Sequence, residues 1–241
     1  MKKMLRTILI ALIIFLPMLS YAHGYWLEIS GNGQPGKPVT INIFFGEIDQ
    51  YGKRLKETFD TLPAANMFSI FAMRPDGSMD TLHVTARKDG WQATFTPTLK
   101  GGYRILAAGT RLPVVDRSGS GGQNVRPFEY LCSSYQAGVG VSAEKPVQML
   151  DIISQTKKDM MQVTVYKDGK PVAAGGKLRI FNPDNWEKQL ETDNTGRAEF
   201  FPNRKGMYII RYDWYDKTPG NYEGVPYSAV RHRCDYCLIV K

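Results

Sequence analysis

Short apolar or aromatic runs recur along this chain at intervals of roughly 8 to 12 residues, each closed by glycine, proline or aspartate. That rhythm predicts strands, because helical spacing of apolar residues is hard to find anywhere in it. Tyr25 to Ile29 is aromatic and β-branched, Val39 to Phe45 partly alternates, and Trp91 to Phe95 alternates cleanly. Arg74-Pro75-Asp76-Gly77 and Lys88-Asp89-Gly90 read as turns. Lys167-Asp168-Gly169-Lys170 reads as a tight hairpin, since Asp-Gly readily adopts the positive φ angles that such a turn requires. The pattern predicts an all-β chain with two immunoglobulin-like β-sandwich domains in tandem, over 23–115 and 146–241. A linker segment over 116–145 joins them, in which Pro127 to Tyr135 suits either a strand or a short helix.

Residues 1–22 have a different character. Lys2, Lys3 and Arg6 precede an apolar run from Thr7 to Leu19, and Ser20-Tyr21-Ala22 places small residues at the −3 and −1 positions of a cleavage site. This is the composition of a secretory signal peptide cut after Ala22. No later apolar run reaches bilayer length, so the mature chain is expected not to span a membrane. The formal charge of +8 includes those three leader cations. The remaining basic residues are scattered rather than gathered into a stripe, and an exported chain does not ordinarily meet nucleic acid, so that partner is excluded.

Histidine is scarce, with three in the chain, and cleavage after Ala22 makes His23 the first residue. A terminal histidine offers its α-amine and a ring nitrogen to one metal ion, and His83 or His232 would supply a third nitrogen of the kind Cu(II) and Ni(II) favour. His232 also lies in His232-Arg233-Cys234-Asp235-Tyr236-Cys237, a possible Zn(II) or Cu(I) patch. For Cys132, Cys234 and Cys237 a disulfide competes with a thiol metal site. Cys234 and Cys237 pair with each other only if Asp235-Tyr236 turns, because side chains three apart on a strand point to opposite faces.

Signals for catalysis are poor. Ser133, Ser134 and Ser142 lack a nucleophile-elbow context, and no phosphate-binding or dinucleotide fingerprint occurs. Tyr212, Trp214, Tyr215 and Tyr222 lie close together and offer an aromatic binding surface for a carbohydrate or protein.

The opening Ala22-His23-Gly24-Tyr25-Trp26-Leu27-Glu28, followed by Gly36-Lys37-Pro38-Val39-Thr40 and a strand ending at Gly46, resembles the DUF4198 family. The run Val163 to Val172, then Thr192 to Ala198 and Gly206-Met207-Tyr208, is similar to that family's C-terminal half. The resemblance implies periplasmic location, an all-β architecture and a part in cobalt or nickel uptake, and it carries His23 over as the family's opening histidine. The expected function is therefore non-enzymatic binding or delivery of a divalent transition metal (Ni, Co or Cu, with Zn less favoured), with a membrane metal transporter as partner. The alternatives are a carbohydrate- or protein-binding β-sandwich module and a copper oxidative enzyme built on the terminal histidine. The His-Arg-Cys-Asp-Tyr-Cys ending departs from the family.

Overall fold

The computed structural model describes residues 23–49, 51–142 and 144–241; the expected leader over 1–22 lies outside the described residues. In chain order the first half forms β1 (Gly24–Ser30), β2 (Val39–Ile48), β3 (Arg54–Lys56), β4 (Ser69–Met73), β5 (Met79–Leu82), β6 (Thr85–Arg87), β7 (Gly90–Phe95), β8 (Gly101–Gly109) and β9 (Val125–Ala137). The second half forms β10 (Leu150–Lys157), β11 (Met160–Lys167), β12 (Lys170–Pro171), β13 (Lys177–Phe181), β14 (Glu187–Glu191), β15 (Arg197–Phe200), β16 (Gly206–Asp216), β17 (Gly220–Tyr222), β18 (Val225–Tyr227) and β19 (Ala229–Val240). The only helical pieces among the described residues are the single turns Ala65–Met67 and Ser118–Ser120. The protein is all-β, as its turn spacing predicts.

The strands make four sheets. The longest runs β14-β13-β16-β19-β9-β8-β4-β5. A five-stranded sheet (β1-β2-β7-β6, with β3 on β2) and a four-stranded sheet (β10-β11-β12, with β15 on β11) accompany it, and β17 and β18 form a separate hairpin. The five-stranded sheet packs on one face of the long sheet through Leu27, Ile41, Ile43 and Trp91, which meet Ile70, Ile105 and Leu131. The four-stranded sheet packs on the other face, where Ile152, Val163 and Val165 meet Leu106, Leu178, Ile180 and Ile210. Consecutive residues such as Ile105 and Leu106, or Ile209 and Ile210, therefore enter different cores. Burial on both faces explains why β8 and β16 read as continuous apolar runs rather than alternating ones. Each large aliphatic side chain buried this way contributes about 1.5–3 kcal/mol.

This arrangement corrects the expectation of two separate immunoglobulin-like sandwiches in tandem. The segment 116–145 carries the 13-residue strand β9, which pairs antiparallel with β8 and, on its other edge, parallel with β19, so strands of both halves share one sheet. The parallel pair joins residues about a hundred positions apart, a contact that local turn chemistry does not encode. Local features behave as their residues dictate. Asp168 (φ 50°) and Gly169 (φ 73°) turn β11 into β12, as a two-residue hairpin requires.

Candidate ligand pocket

Even-numbered residues of β9 and β19 face the second core. In mid-strand they are Cys132 and Cys234, both buried; toward the C-terminal ends they become Ser134 and Tyr236. Ser154 of β10 lines the same gap from the smaller sheet. Ser134 and Ser154 are too short to fill the gap between the sheets, and a pocket of about 220 Å³ remains there. Gly102 forms part of its rim because a Cβ at that position would overlap Ser142 Oγ. Its N–H donates to the Val141 carbonyl at 2.9 Å, which seals the segment 141–142 onto β8.

One wall is a buried ion pair. The Arg104 Nη2 donates to Asp151 Oδ1 at 2.6 Å and Nη1 to the Lys145 carbonyl at 2.6 Å. Asp151, fully buried, also accepts from the backbone N–H of Val147 at 2.9 Å. Burial disfavours the Arg104 charge, but the Asp151 carboxylate outweighs it and raises the guanidinium's pKa. With both terminal nitrogens engaged, Arg104 shapes the pocket rather than offering itself to an anion.

The rest of the lining mixes hydroxyls and an amide with the Glu144 carboxylate, the Lys241 ammonium and the apolar Ile153, Leu238 and Ile239. Ser134 Oγ and Tyr236 Oη lie 2.8 Å apart, and burial raises the Tyr236 pKa despite the opposing pull of the neighbouring serine hydroxyls, so the phenol stays protonated. Gln136 adds an amide, and Glu144, bonded by Gln155 Nε2, adds a carboxylate. Hydroxyl and amide groups can satisfy ligand hydroxyls in either sense. The volume falls below the ~300–1,000 Å³ of drug-sized pockets, which suits one small polar unit.

The three histidines do not converge. His23 Nε2 lies 2.6 Å from Glu57 Oε1 and 3.7 Å from Glu47 Oε2, and its ring stacks on Phe45. His83 is exposed between β5 and β6, where the chain crosses from the long sheet to the five-stranded one. His232 is buried among Phe128, Tyr130 and Trp214, with Nδ1 3.2 Å from the Tyr130 hydroxyl; desolvation lowers its pKa and keeps the ring neutral. Among the described residues, no group of three or more His, Cys, Asp or Glu side chains is placed to hold a metal ion. This overturns the expectation of a divalent Ni, Co, Cu or Zn cofactor and of a metal ion as partner. The physical reason is that scarcity in sequence does not imply proximity: the three rings belong to a strand start, a crossover and a core.

The cysteines are likewise corrected. All three are free and buried. Cys132 Sγ and Cys234 Sγ are 3.8 Å apart, well beyond the ~2.05 Å of a disulfide. Cys237 points into the opposite core, where its sulfur accepts the Leu27 N–H. The extended course of β19 separates Cys234 from Cys237, excluding both a bridge between them and a shared thiol site. Burial pushes the Cys237 thiol up to about 12 and Cys234 well above its ordinary value, so neither presents a thiolate.

The four aromatic candidates also divide. Tyr212 and Trp214 pack against the second core, Tyr215 is exposed on the other face, and Tyr222 sits in the β17–β18 hairpin with the Arg126 guanidinium 3.8 Å from its centroid. They lie toward the end of β9 and β19 opposite the pocket. Sequence reasoning missed Arg104, Asp151, Ser154 and Tyr236. The available signal was the polar pair Ser133-Ser134 inside an otherwise apolar strand.

A second polar feature lies on the first-core face of the long sheet. Arg211 pairs with Asp235, Arg233 with Asp213, and Arg231 with Glu129 across β16, β19 and β9. Glu129 is fully buried, and its Oε2 has no hydrogen-bond partner among the described residues. Burial raises its pKa against the pull of Arg231 and Arg233.

No family model matches the chain and no curated protein matches it, so the likeness to the DUF4198 family rests on its motifs alone. Among solved structures, the chain is similar to a DUF4785 family protein from Legionella pneumophila, at 13% identity over 81% of this chain and 53% of that one, with a TM-score of 0.29. It thus spans about half the length of that protein. Native alpha-2-macroglobulin from Escherichia coli, spanning domains NIE-MG1, matches at 8% identity over 87% of this chain and 97% of that one, with a TM-score of 0.23. Dimeric latent PorU from Porphyromonas gingivalis matches at 11% identity over 89% and 20%, with a TM-score of 0.22. At these scores the likenesses assign neither a family nor a function.

Proposed function

We propose that this chain is an exported binding module that accepts one unit of a carbohydrate-class ligand in the pocket between β9, β19 and β10. The observation that carries the reading is the convergence of Ser134, Ser154 and Tyr236 hydroxyls on a pocket of about 220 Å³ whose one buried cation is already paired. A polyol matches such a lining because each of its hydroxyls donates one bond and accepts others. An inorganic anion would find Arg104 neutralised by Asp151 and would meet the exposed Lys241 ammonium only alongside the Glu144 carboxylate. In this reading each outer sheet, with the part of the long sheet it covers, serves as a sandwich-like scaffold, and the leader-like residues 1–22 direct export.

Titration calorimetry of the chain lacking residues 1–22 against neutral monosaccharides, with phosphate and acetate as comparators, tests the reading. Saturable binding of a sugar is expected, weakened about tenfold in Tyr236→Phe and Ser134→Ala, the ~1.4 kcal/mol scale of a lost buried hydrogen bond. Binding of the anions alone, or sugar binding indifferent to both substitutions, would overturn it.

A further inference from the structure

Trp186 stands out as a large aromatic side chain left 78% exposed on a well-anchored support. It sits at the tip of the β13–β14 hairpin, where Asn182 N–H donates to the Trp186 carbonyl at 3.1 Å and Asn182 Oδ1 accepts the Trp186 N–H at 2.8 Å. Asn185, at φ 61°, donates to the Gly52 carbonyl and accepts from Arg54 Nη2 at 2.7 Å. The tip is thus pinned to the β2–β3 turn, and a positive-φ asparagine is held there by two partners. A ring presented on so fixed a base pays little ordering entropy when a ligand covers it.

The register relates this ring to the pocket. Phe181 pairs with Glu187 and with Ile209, so the next step along places Asn182 opposite Trp186 on one side and Tyr208 on the other. Tyr208 pairs with Leu238, and continuing the β9–β19 register sets Leu238 beside Ser134, which pairs with Arg104. Trp186, Leu238, Ser134 and Arg104 therefore occupy one cross-strand row, and the last three line the pocket. Alternation places Asn182 and Trp186 on the same side of the sheet as Ile180, which belongs to the second core, the side on which the pocket opens. From β14 to β19 is three strand spacings, about 14 Å. Between them, Tyr208 is capped by the turn after β15, where Asn203 Oδ1 accepts from its hydroxyl and Phe201 stands 57% exposed.

We propose that the ligand is a chain rather than a single sugar, with one unit in the pocket and a further unit stacked on Trp186. This rests on the carbohydrate reading above and specifies the length of what is bound. An elongated ligand leaving the pocket beside Leu238 passes over the turn that caps the buried Tyr208, where Phe201 is exposed, and then reaches the indole face. The apolar faces of sugar rings suit exposed aromatics, while their hydroxyls suit the pocket.

The test is a length series of one homologous oligosaccharide, from monomer to hexamer, titrated into the chain lacking residues 1–22 and into its Trp186→Ala variant. Trp186 is exposed, so the variant should fold, and an unchanged circular dichroism spectrum and unfolding midpoint verify it. The expected result is affinity that rises with length and then levels, with the variant about tenfold weaker for the long members and equal to the parent for the monomer. Tryptophan fluorescence should shift to the blue with the long members only, and the shift should vanish in the variant. Monomer binding with no gain from length, or a length gain that Trp186→Ala leaves intact, overturns the chain ligand while leaving the pocket reading standing. Absence of binding by any member overturns both.

Discussion

Removing Asp151 should be among the most damaging single changes this protein can suffer. The carboxylate has no exposure and accepts from Arg104 at 2.6 and 3.3 Å and from the N–H groups of Val147 and Gln148 at 2.9 and 3.3 Å. In Asp151→Ala the guanidinium of Arg104, also buried, retains only the Lys145 and Ile152 carbonyls, and the segment leading into β10 loses its anchor. Breaking a buried ion pair from one side costs about 3–5 kcal/mol, since the surviving charge stays in the interior. Domains commonly have only about 5–15 kcal/mol in total, so the variant should lose a large fraction of its stability. Urea unfolding followed by circular dichroism measures this. The double variant Arg104→Met with Asp151→Leu is the control, because replacing both charges with apolar side chains removes the desolvation cost along with the attraction. It should recover most of the loss. An Asp151→Ala variant within about 1 kcal/mol of the parent at unchanged slope would refute the reasoning, as would a double variant no better than the single one.

Three further outcomes follow from the packing. The native protein should resist iodoacetamide at neutral pH and release three reactive thiols on denaturation without reductant, because all three cysteines are buried and unbridged; fewer than three would indicate a bridge. Burial holds the Glu129 pKa above its unfolded value, so its contribution is fully present below pH about 4.3 and is lost as pH rises through the folded pKa. Glu129→Gln should flatten that part of the stability profile above pH about 4.3, and an equal slope there in parent and variant would contradict it. Arg126→Ala removes a guanidinium lying 3.8 Å from the Tyr222 centroid and 4.9 Å from that of Phe128, and should loosen the β17–β18 hairpin by about 0.5–2 kcal/mol. Hydrogen exchange confined to 217–228 would report it, and unchanged protection there would count against the contact.

What could be read from the residue order alone was whatever depends on near neighbours. The Asp168-Gly169 turn, the Arg74–Gly77 turn and the alternation of Trp91 to Phe95 each reflect backbone conformation or pleat within a few residues, so the all-β class was legible. The opposed directions of Cys234 and Cys237 followed from the same two-residue period. Tertiary structure alone decided that β9 joins the halves through a parallel pairing with β19, because no short-range signal marks a partner a hundred residues away. It also decided that the histidines stand apart, where scarcity and a family likeness had suggested a shared metal. The pocket was equally hidden. It arises where Gly102, Ser134 and Ser154 are too small to fill the space between two sheets, and unfilled volume is a property of packed layers rather than of any motif.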